Sequence, residues 1–202
     1  MVRRGLLATV ETAAAAEEPD GRRRRSQDSR ARIVAAMLEL IHGGEITPVA
    51  EQVAERAKVG LRTVFRHFDD MDSLYGEMSH VIEAEVLEVV HRPFKGTTWQ
   101  ARVLELVERR GQAFERIAPY KRASDANRHR SRFLAERHAE LTTVSREILR
   151  QQIPAQLARE LFEAIDLLLS YEAWSRLRNE QSLTPRRARE VLEGAVSRLL
   201  EG

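Results

Sequence analysis

The fold is decided by residues 46–68, which read ITPVAEQVAERAKVGLRTVFRHF. Thr47 is a good N-cap and Pro48 fits the first helical position, so the small and branched residues after them predict a helix with one apolar face. Residues 58–60 predict a turn, and residues 61–68 predict a second short helix. Two short helices joined by so tight a turn are typical of the helix-turn-helix unit, whose second helix inserts into the major groove of DNA.

The segments before this stretch predict a helix that follows an irregular arm. Ser26 or Asp28 is a suitable N-cap for the first helix, which repeats apolar residues at helical spacing and ends at the glycine pair 43–44. Residues 1–25 contain alanines, acidic residues and four consecutive arginines, with no apolar stripe that could be buried. We therefore expect residues 1–25 to form a disordered arm.

The segments after residue 72 predict further helices, because apolar residues recur at helical spacing and prolines mark the boundaries. No segment alternates with the period of two that a strand requires. The expected helices run from Asp72 to before Pro93, from 98 to 118, from Ser124 or Ser131 to 152, from 154 to 179, and from the N-cap pair Thr184-Pro185 to 200. The chain is therefore predicted to be all-α, with a three-helix domain over residues 26–72 and a larger helical domain over residues 73–202.

Composition and charge exclude several classes of protein. The chain of 202 residues has no cysteine, which excludes disulfide frameworks, thiolate metal sites and cysteine nucleophiles. No segment reaches the roughly 20 apolar residues of a membrane span, and acidic residues interrupt the apolar start, so we expect no membrane partner, no export signal and a cytoplasmic location. The net charge is only +2, yet residues 21–68 contain ten basic side chains against five acidic ones. Such a local excess is typical of a surface that meets phosphates.

Residues 46–68, the preceding helix with its closing glycines and the following Asp72-Ser73-Leu74-Tyr75 together resemble the DNA-binding domain of the TetR family of bacterial transcriptional regulators. The resemblance implies that the second short helix reads base edges through its first residues and contacts the DNA backbone through the others. Chemistry agrees, since Arg62 can donate two bonds to guanine O6 and N7, whereas the Thr63 hydroxyl can bind phosphate. The predicted DNA-binding residues are Thr47, Leu61, Arg62, Thr63, Phe65, Arg66 and His67.

The stretch also departs from the family pattern. The departures are Lys58 in place of a helix-ending glycine, Gly60 in place of a capping serine, Phe65 in place of a tyrosine and Met71 in place of a lysine, with Asp69 and Asp70 beside them. They remove phosphate contacts, so we expect affinity to depend more on Arg62, Arg66 and the run Arg22–Arg25. For that run, a solvated charge cluster and a minor-groove arm are equally open.

The resemblance implies that the C-terminal helices form an antiparallel domain for dimerisation and ligand binding. The aromatic residues expected to line a ligand pocket are Trp99, Phe114, Tyr120, Phe133, Tyr171 and Trp174, although packing in the core is the commoner role at any one position. A homodimer surface is expected on the last two helices, through Leu161, Ile165, Leu168, Leu169, Leu192, Val196 and Leu199. Pairing across a two-fold axis would form a four-helix bundle and set the spacing of two recognition helices.

The expected function is that of a TetR-family repressor, released from a palindromic double-stranded DNA operator by a small-molecule effector. No metal or cofactor is expected, because His80 and His91 lie too far apart along one helix to share a metal ion. No enzyme is expected either, because the chain lacks a phosphate-binding glycine loop and a nucleophile elbow. The open alternatives are a helical protein-interaction module with a basic head and no specific DNA target, a helical small-molecule enzyme, and sequence-independent coating of DNA.

Overall fold

The computed structural model of the protein describes residues 18–201, which form helices and connecting turns with no β-strand in that range. This confirms the predicted all-α fold. The helices are α1 (Glu18–His42), α2 (Ala50–Ala57), α3 (Leu61–His67), α4 (Met71–His91), α5 (Trp99–Asn127), α6 (Arg132–Arg150), α7 (Arg159–Leu168), α8 (Tyr171–Ser175) and α9 (Pro185–Glu201). A π-helical turn, Arg176–Glu180, continues α8.

Helices α1, α2 and α3 form a three-helix head around a core of aliphatic side chains. Ile33, Met37 and Ile41 of α1 are at most 2% exposed, and they pack with Val53 of α2 and Val64 of α3. The same core continues into the start of α4 and takes in single residues of α5 and α6. The head is therefore packed onto the rest of the chain, and the domain boundary after residue 72 stays a prediction.

The first helix begins at Glu18, not near Ser26 or Asp28, so the predicted arm is corrected for residues 18–25. The rest of that arm, residues 1–17, lies outside the described residues. The prediction assumed that a helix needs an apolar stripe to bury, whereas this end of α1 is helical although it is mostly exposed. Arginine has a high intrinsic helix propensity, which extends α1 beyond the part that packs in the core.

The N-terminus of α2 is capped differently from the prediction. Its N-cap is Val49, so Thr47 and Pro48 both lie before the helix. The Gln52 side chain accepts a hydrogen bond from the Val49 backbone N–H (2.9 Å) and donates one to the Glu45 carboxylate (3.2 Å). Glu45 also accepts from the Thr47 backbone N–H (3.1 Å). The Gln52 side chain thus takes the Val49 backbone N–H, a donor that a threonine cap at position 47 would have bound.

A tight turn joins α2 to α3 over residues 58–60, as predicted. Lys58 has φ 54° and ψ 47°, a left-handed conformation that favours glycine. The Val59 backbone N–H donates to the Ala54 carbonyl oxygen (3.0 Å), which closes the end of α2. The turn therefore keeps its geometry although lysine occupies the position where glycine is usual.

Helix α5 passes through Pro119 instead of ending before it, which corrects the predicted boundary. A proline inside a helix removes one backbone hydrogen bond and costs about 3 kcal/mol. Packing on both sides of the proline offsets that cost, since Val103 is buried in a second core and Ala123 in the first. At the end of α5, Asn127 Nδ2 donates to the Ile46 carbonyl oxygen (2.9 Å). α5 thus connects the second core to the segment before α2.

Helices α6 and α9 begin where the sequence predicts. Ser131, one of the two predicted starts of α6, accepts a hydrogen bond from the Leu134 backbone N–H through its hydroxyl (3.1 Å). The Thr184 hydroxyl accepts from the Arg187 backbone N–H (3.3 Å) and caps α9. Both are side-chain caps of the ordinary kind, which short-range sequence patterns can indicate.

The single helix predicted over residues 154–179 is corrected to two helices and a π-helical turn. The first of them, α7, begins only at Arg159. The helix is then interrupted at Ser170, before α8 begins. The Ser170 hydroxyl donates to the Leu167 carbonyl oxygen (2.7 Å) and accepts from the Ala173 N–H (3.1 Å). The Ser170 hydroxyl therefore closes α7 and caps α8. Its hydrogen bonds compete with the backbone bonds of a continuous helix, and the spacing of apolar residues does not reveal this effect.

The second core lies between α5, α7, α8 and α9, and it takes up part of the predicted dimer surface. Four of those residues are buried within the chain and are corrected to core positions: Ile165, Leu169, Leu192 and Val196. The other three are half-buried against the same core: Leu161, Leu168 and Leu199. Leu167 of α7 and Val191 of α9 are instead exposed, by 67% and 43%. Most apolar side chains of α7 and α9 therefore pack in the core of this chain.

Candidate functional site

Helix α3 presents opposite faces to the core and to solvent. Val64 and Phe68 are at most 2% exposed and hold the helix on the head. Four of the predicted DNA-binding residues are exposed on the other side of the helix: Leu61, Arg62, Phe65 and Arg66. An exposed face that combines two arginines with an aromatic and an aliphatic side chain suits both phosphates and base edges.

The other predicted DNA-binding residues are less accessible or lie apart from this face. Thr63 and His67 are half-buried, and Thr47 is exposed in the segment before α2. Burial, followed by repulsion from Arg66 and Arg30, lowers the pKa of His67 below its usual value. His67 Nε2 is buried with no hydrogen-bond partner among the residues that the structure describes. These surroundings favour the neutral form of the His67 ring, whose Nε2 lies inside the protein.

Arg30 of α1 braces the C-terminal end of α3. Its guanidinium donates to the His67 carbonyl oxygen (2.8 Å) and to the Glu77 carboxylate (2.9 Å), and it stacks on the Phe68 ring (4.4 Å to the ring centre). Together these contacts fix α3 relative to α1 and α4. The sequence predicted Arg30 only as one of many basic residues, because its partners lie far along the chain.

Acidic residues near α3 have structural partners. Asp70 caps α4 by accepting a hydrogen bond from the Ser73 backbone N–H (2.8 Å). Glu39 of α1 pairs with Arg56 of α2 (3.5 Å), where both side chains are largely exposed. An exposed pair of this kind contributes little to stability. The Asp70 carboxylate therefore has a structural role at the start of α4, directly after α3.

The arginine run lies in the N-terminal part of α1, before the residues that pack in the core of the head. Arg23, Arg24 and Arg25 are exposed, and Arg25 Nε donates to the Gly21 carbonyl oxygen (3.1 Å). These side chains extend from a helix and not from an irregular arm. Their backbone is therefore already ordered for any contact that they make.

A cavity of about 230 Å³ lies between α4, α5, α6 and the α7–α8 region. It belongs to the body of the molecule, the part formed by α4 to α9. Phe114 and Tyr171, two of the six aromatic residues predicted for a ligand pocket, line it. Their rings meet edge to face, with ring centres 5.5 Å apart. The cavity wall also carries cationic side chains, among them Arg110 and Arg146. The cavity thus combines an apolar wall with buried charge.

The other four predicted pocket aromatics lie elsewhere, which corrects that prediction. Trp99 packs against the second core, and Tyr120 and Phe133 pack against the first. Trp174 borders a separate groove between α5, α8 and α9. Helical periodicity shows which aromatics are buried, but it does not distinguish a packed core from a cavity wall.

Trp174 is held in place by a close fit to α5. Its Nε1–H donates to the Glu115 carboxylate (2.8 Å), which also accepts from Arg178 Nε (2.7 Å). A Cβ atom placed on Gly111 would stand 2.8 Å from the Trp174 ring. The absence of a side chain at Gly111 therefore admits the ring, which makes Trp174 a structural residue of the second core.

The described residues offer neither a metal site nor a membrane-spanning helix. Residues 18–201 contain no group of three or more histidine, aspartate or glutamate side chains placed to hold a metal ion. Over the same residues, none of the helices combines the length and the hydrophobicity that crossing a bilayer requires. The expected lack of an enzymatic role stays a prediction.

Comparison with known proteins identifies the fold. No protein-family model and no curated protein matches the chain. Among solved structures, the chain is similar to the crystal structure of a transcriptional regulator from Rhodococcus sp. Rha1, with a TM-score of 0.67 and 18% sequence identity. The similarity covers 86% of this chain and 97% of that regulator. The chain therefore shares the all-α fold of that regulator over nearly its whole length.

Proposed function

We propose that the protein is a TetR-family transcriptional regulator that binds a palindromic DNA operator as a homodimer. The observation that carries this proposal is the outward face of α3, where Leu61, Arg62, Phe65 and Arg66 are exposed while Val64 and Phe68 are buried. The fold shared with a transcriptional regulator supports it.

Each part of the α3 face has a separate role in DNA recognition. Arg62, in the first turn, reads a guanine edge with two N–H donors, while Leu61 contacts bases beside it. Arg66, Thr63 and Phe65 lie along the sugar-phosphate backbone and position the helix in the groove. Thr47 approaches phosphate from the segment before α2, and His67 does so only if its ring turns outward. Specificity therefore comes mainly from the start of α3.

A homodimer forms through α7 and α9, on positions next to those used by the second core. Exposed Leu167 and Val191 lie on these helices, and half-buried Leu161, Leu168 and Leu199 border the same core. Pairing of these helices across a two-fold axis buries side chains that are only partly covered in one chain. The axis also places two α3 helices about one turn of DNA apart, roughly 34–36 Å.

The protein acts as a repressor that a small-molecule effector releases from DNA. The cavity beside Phe114 and Tyr171 is the place for that effector. An effector that binds better to a conformation in which the two heads are wrongly spaced shifts the population away from the DNA-binding state. The cytoplasm, where the operator is found, is the expected location.

Selection of bound duplexes from a random pool tests this function. We expect two related half-sites in inverted orientation, separated by about one helical turn of DNA. Enrichment of a single, unrepeated site would contradict a two-fold assembly. Equal recovery of all sequences would indicate coating of DNA without specificity, and absence of recovery at low salt would favour the protein-interaction module.

A further inference from the structure

The cavity in the body contains a cation that is bonded only to neutral groups. Arg110 of α5 donates to the Leu169 carbonyl oxygen (3.0 Å) and to the Ser145 carbonyl oxygen (2.5 Å). Burial lowers the pKa of Arg110 to about 10, and the charge of Asp166 offsets part of the effect. Arg110 therefore keeps its charge at neutral pH although protein atoms surround it.

The other lysine and arginine side chains of the cavity wall have carboxylate partners. The ion pairs are Arg109–Glu105, Lys121–Asp125 and Arg146–Asp166, with N–O distances between 2.5 and 2.6 Å. Asp166 is the acid whose charge raises the pKa of Arg110, but its carboxylate accepts a hydrogen bond from Arg146. Within residues 18–201, Arg110 contacts two carbonyl oxygens and no carboxylate. A guanidinium has five N–H donors, so some remain for a further acceptor.

The remaining wall of the cavity is mostly apolar. Val86 and Val90 of α4, Phe114 of α5, and Leu141 and Ile148 of α6 all line it. Pockets that bind small molecules commonly combine such a wall with a few polar groups that fix the orientation of the ligand. The chemistry of the cavity therefore suits a ligand with an apolar body and one anionic end.

We propose that this cavity binds a carboxylic acid with an apolar body, and that Arg110 receives its carboxylate. The inference rests on the proposed function, because it names the chemical class of the effector. A planar guanidinium matches a carboxylate through two parallel hydrogen bonds between opposite charges, which an alcohol or a protonated amine cannot form. The apolar body lies against the side chains of α4, α5 and α6.

Three ligands with one carbon chain test the proposal on the full-length protein without DNA. Octanoate, 1-octanol and octylamine differ only in the head group. In calorimetric titrations at neutral pH, octanoate should bind roughly tenfold or more tightly than octanol, and octylamine should bind least. Equal binding of octanoate and octanol, or no binding of octanoate, would overturn the proposal.

A matched pair of variants locates the carboxylate. Arg110→Met keeps an unbranched apolar stem and should lose the preference for octanoate while still binding octanol. Arg116→Met is the control, because exposed Arg116 lies on the same helix but donates to the Glu85 carbonyl oxygen (3.0 Å) and borders the other groove. A preference that survives in Arg110→Met would contradict the assigned role. If that variant does not fold, the comparison of the three ligands on the unaltered protein still decides the ligand class.

The outcome separates this inference from the regulator function. Binding of octanoate is measured on the protein alone, whereas the regulator function is measured by duplex selection. A preference for octanoate in a protein that selects no DNA sequence would support the ligand class and contradict the regulator. A selected operator with no preference for the carboxylate would support the regulator and contradict the ligand class.

Discussion

Arginines have opposite surroundings in the two parts of the molecule. In the head, Arg62 and Arg66 are exposed on one face of α3. In the body, Arg109 and Arg110 are enclosed and bonded to carbonyl or carboxylate oxygens. An exposed guanidinium keeps its water and can exchange it for DNA, whereas an enclosed one has lost its water and depends on protein partners. The same residue type is therefore exposed to solvent on α3 of the head and bonded to main-chain or carboxylate oxygens inside the body.

Removal of an enclosed arginine should have the largest effect. Arg109 is 6% exposed, donates to the carbonyl oxygens of Arg92 and Pro93 and to Glu105, and lies over the Phe94 ring. Arg109→Met should lower the free energy of unfolding by about 3 kcal/mol, because it leaves buried acceptors without a donor. Urea unfolding followed by circular dichroism measures the change.

The control for that experiment is the same substitution in the head. Arg62→Met should change the free energy of unfolding by no more than about 0.5 kcal/mol, as is usual for an exposed position. Similar losses in both variants would show that exposure does not distinguish the two groups of arginines.

Removal of head side chains should instead reduce DNA binding. Arg62→Ala combined with Thr63→Ala should weaken binding to the selected duplex by about 1–3 kcal/mol, roughly fivefold to 150-fold, because the proposed base contact and phosphate contact would be lost. Fluorescence anisotropy measures the affinity, and circular dichroism checks that the fold is intact. Arg186→Ala, whose side chain is 81% exposed on α9, is the control. Unchanged affinity in the double variant would remove both residues from the interface.

A change of packing in the body should have an intermediate effect. Gly111→Ala places a methyl group 2.8 Å from the Trp174 ring and should cost about 1–2 kcal/mol of stability. Gly194→Ala is the matched control, because the nearest atom to its Cβ is the end of the Arg198 side chain at 4.0 Å. There we expect a gain of up to about 1 kcal/mol from helix propensity. A loss of stability in both variants would contradict the specific fit of Trp174 to α5.

The turn of the head should give the smallest effect. Lys58→Gly removes a side chain from a left-handed backbone conformation and should raise the free energy of unfolding by about 0.5 kcal/mol. Lys58→Ala keeps the Cβ atom and should bring no gain, while it removes the same charge. A gain of equal size in the two variants, measured by thermal unfolding, would assign the effect to the charge of Lys58.

Local patterns were enough to predict the turn and the second short helix of the head, but not where α1 and α2 begin. The turn at 58–60 and the short helix after it depend on residues close together in sequence, so periodicity and turn residues indicate them. Ser131 and Thr184 are caps that act on the next few residues. In these places local preference and tertiary structure agree, which is why the prediction succeeds.

Contacts between distant residues were not predictable from the same patterns. Arg30 donates to the His67 carbonyl oxygen, 37 residues later in the sequence, and Arg110 donates to the Leu169 carbonyl oxygen, 59 residues later. The continuation of α5 through Pro119 likewise depends on two separate cores that hold its halves. Such features arise from packing, which overrides local propensity and leaves no short-range signal in the chain.

The path of α5 has a mechanical consequence. Phe114 lies against the cavity, and Asn127, at the far end of the same helix, donates to the Ile46 carbonyl oxygen in the segment before α2. A packed helix transmits displacement along its axis, because its backbone bonds resist stretching and its neighbours resist bending. α5 is therefore a single rigid rod that connects the wall of the cavity to the segment before α2.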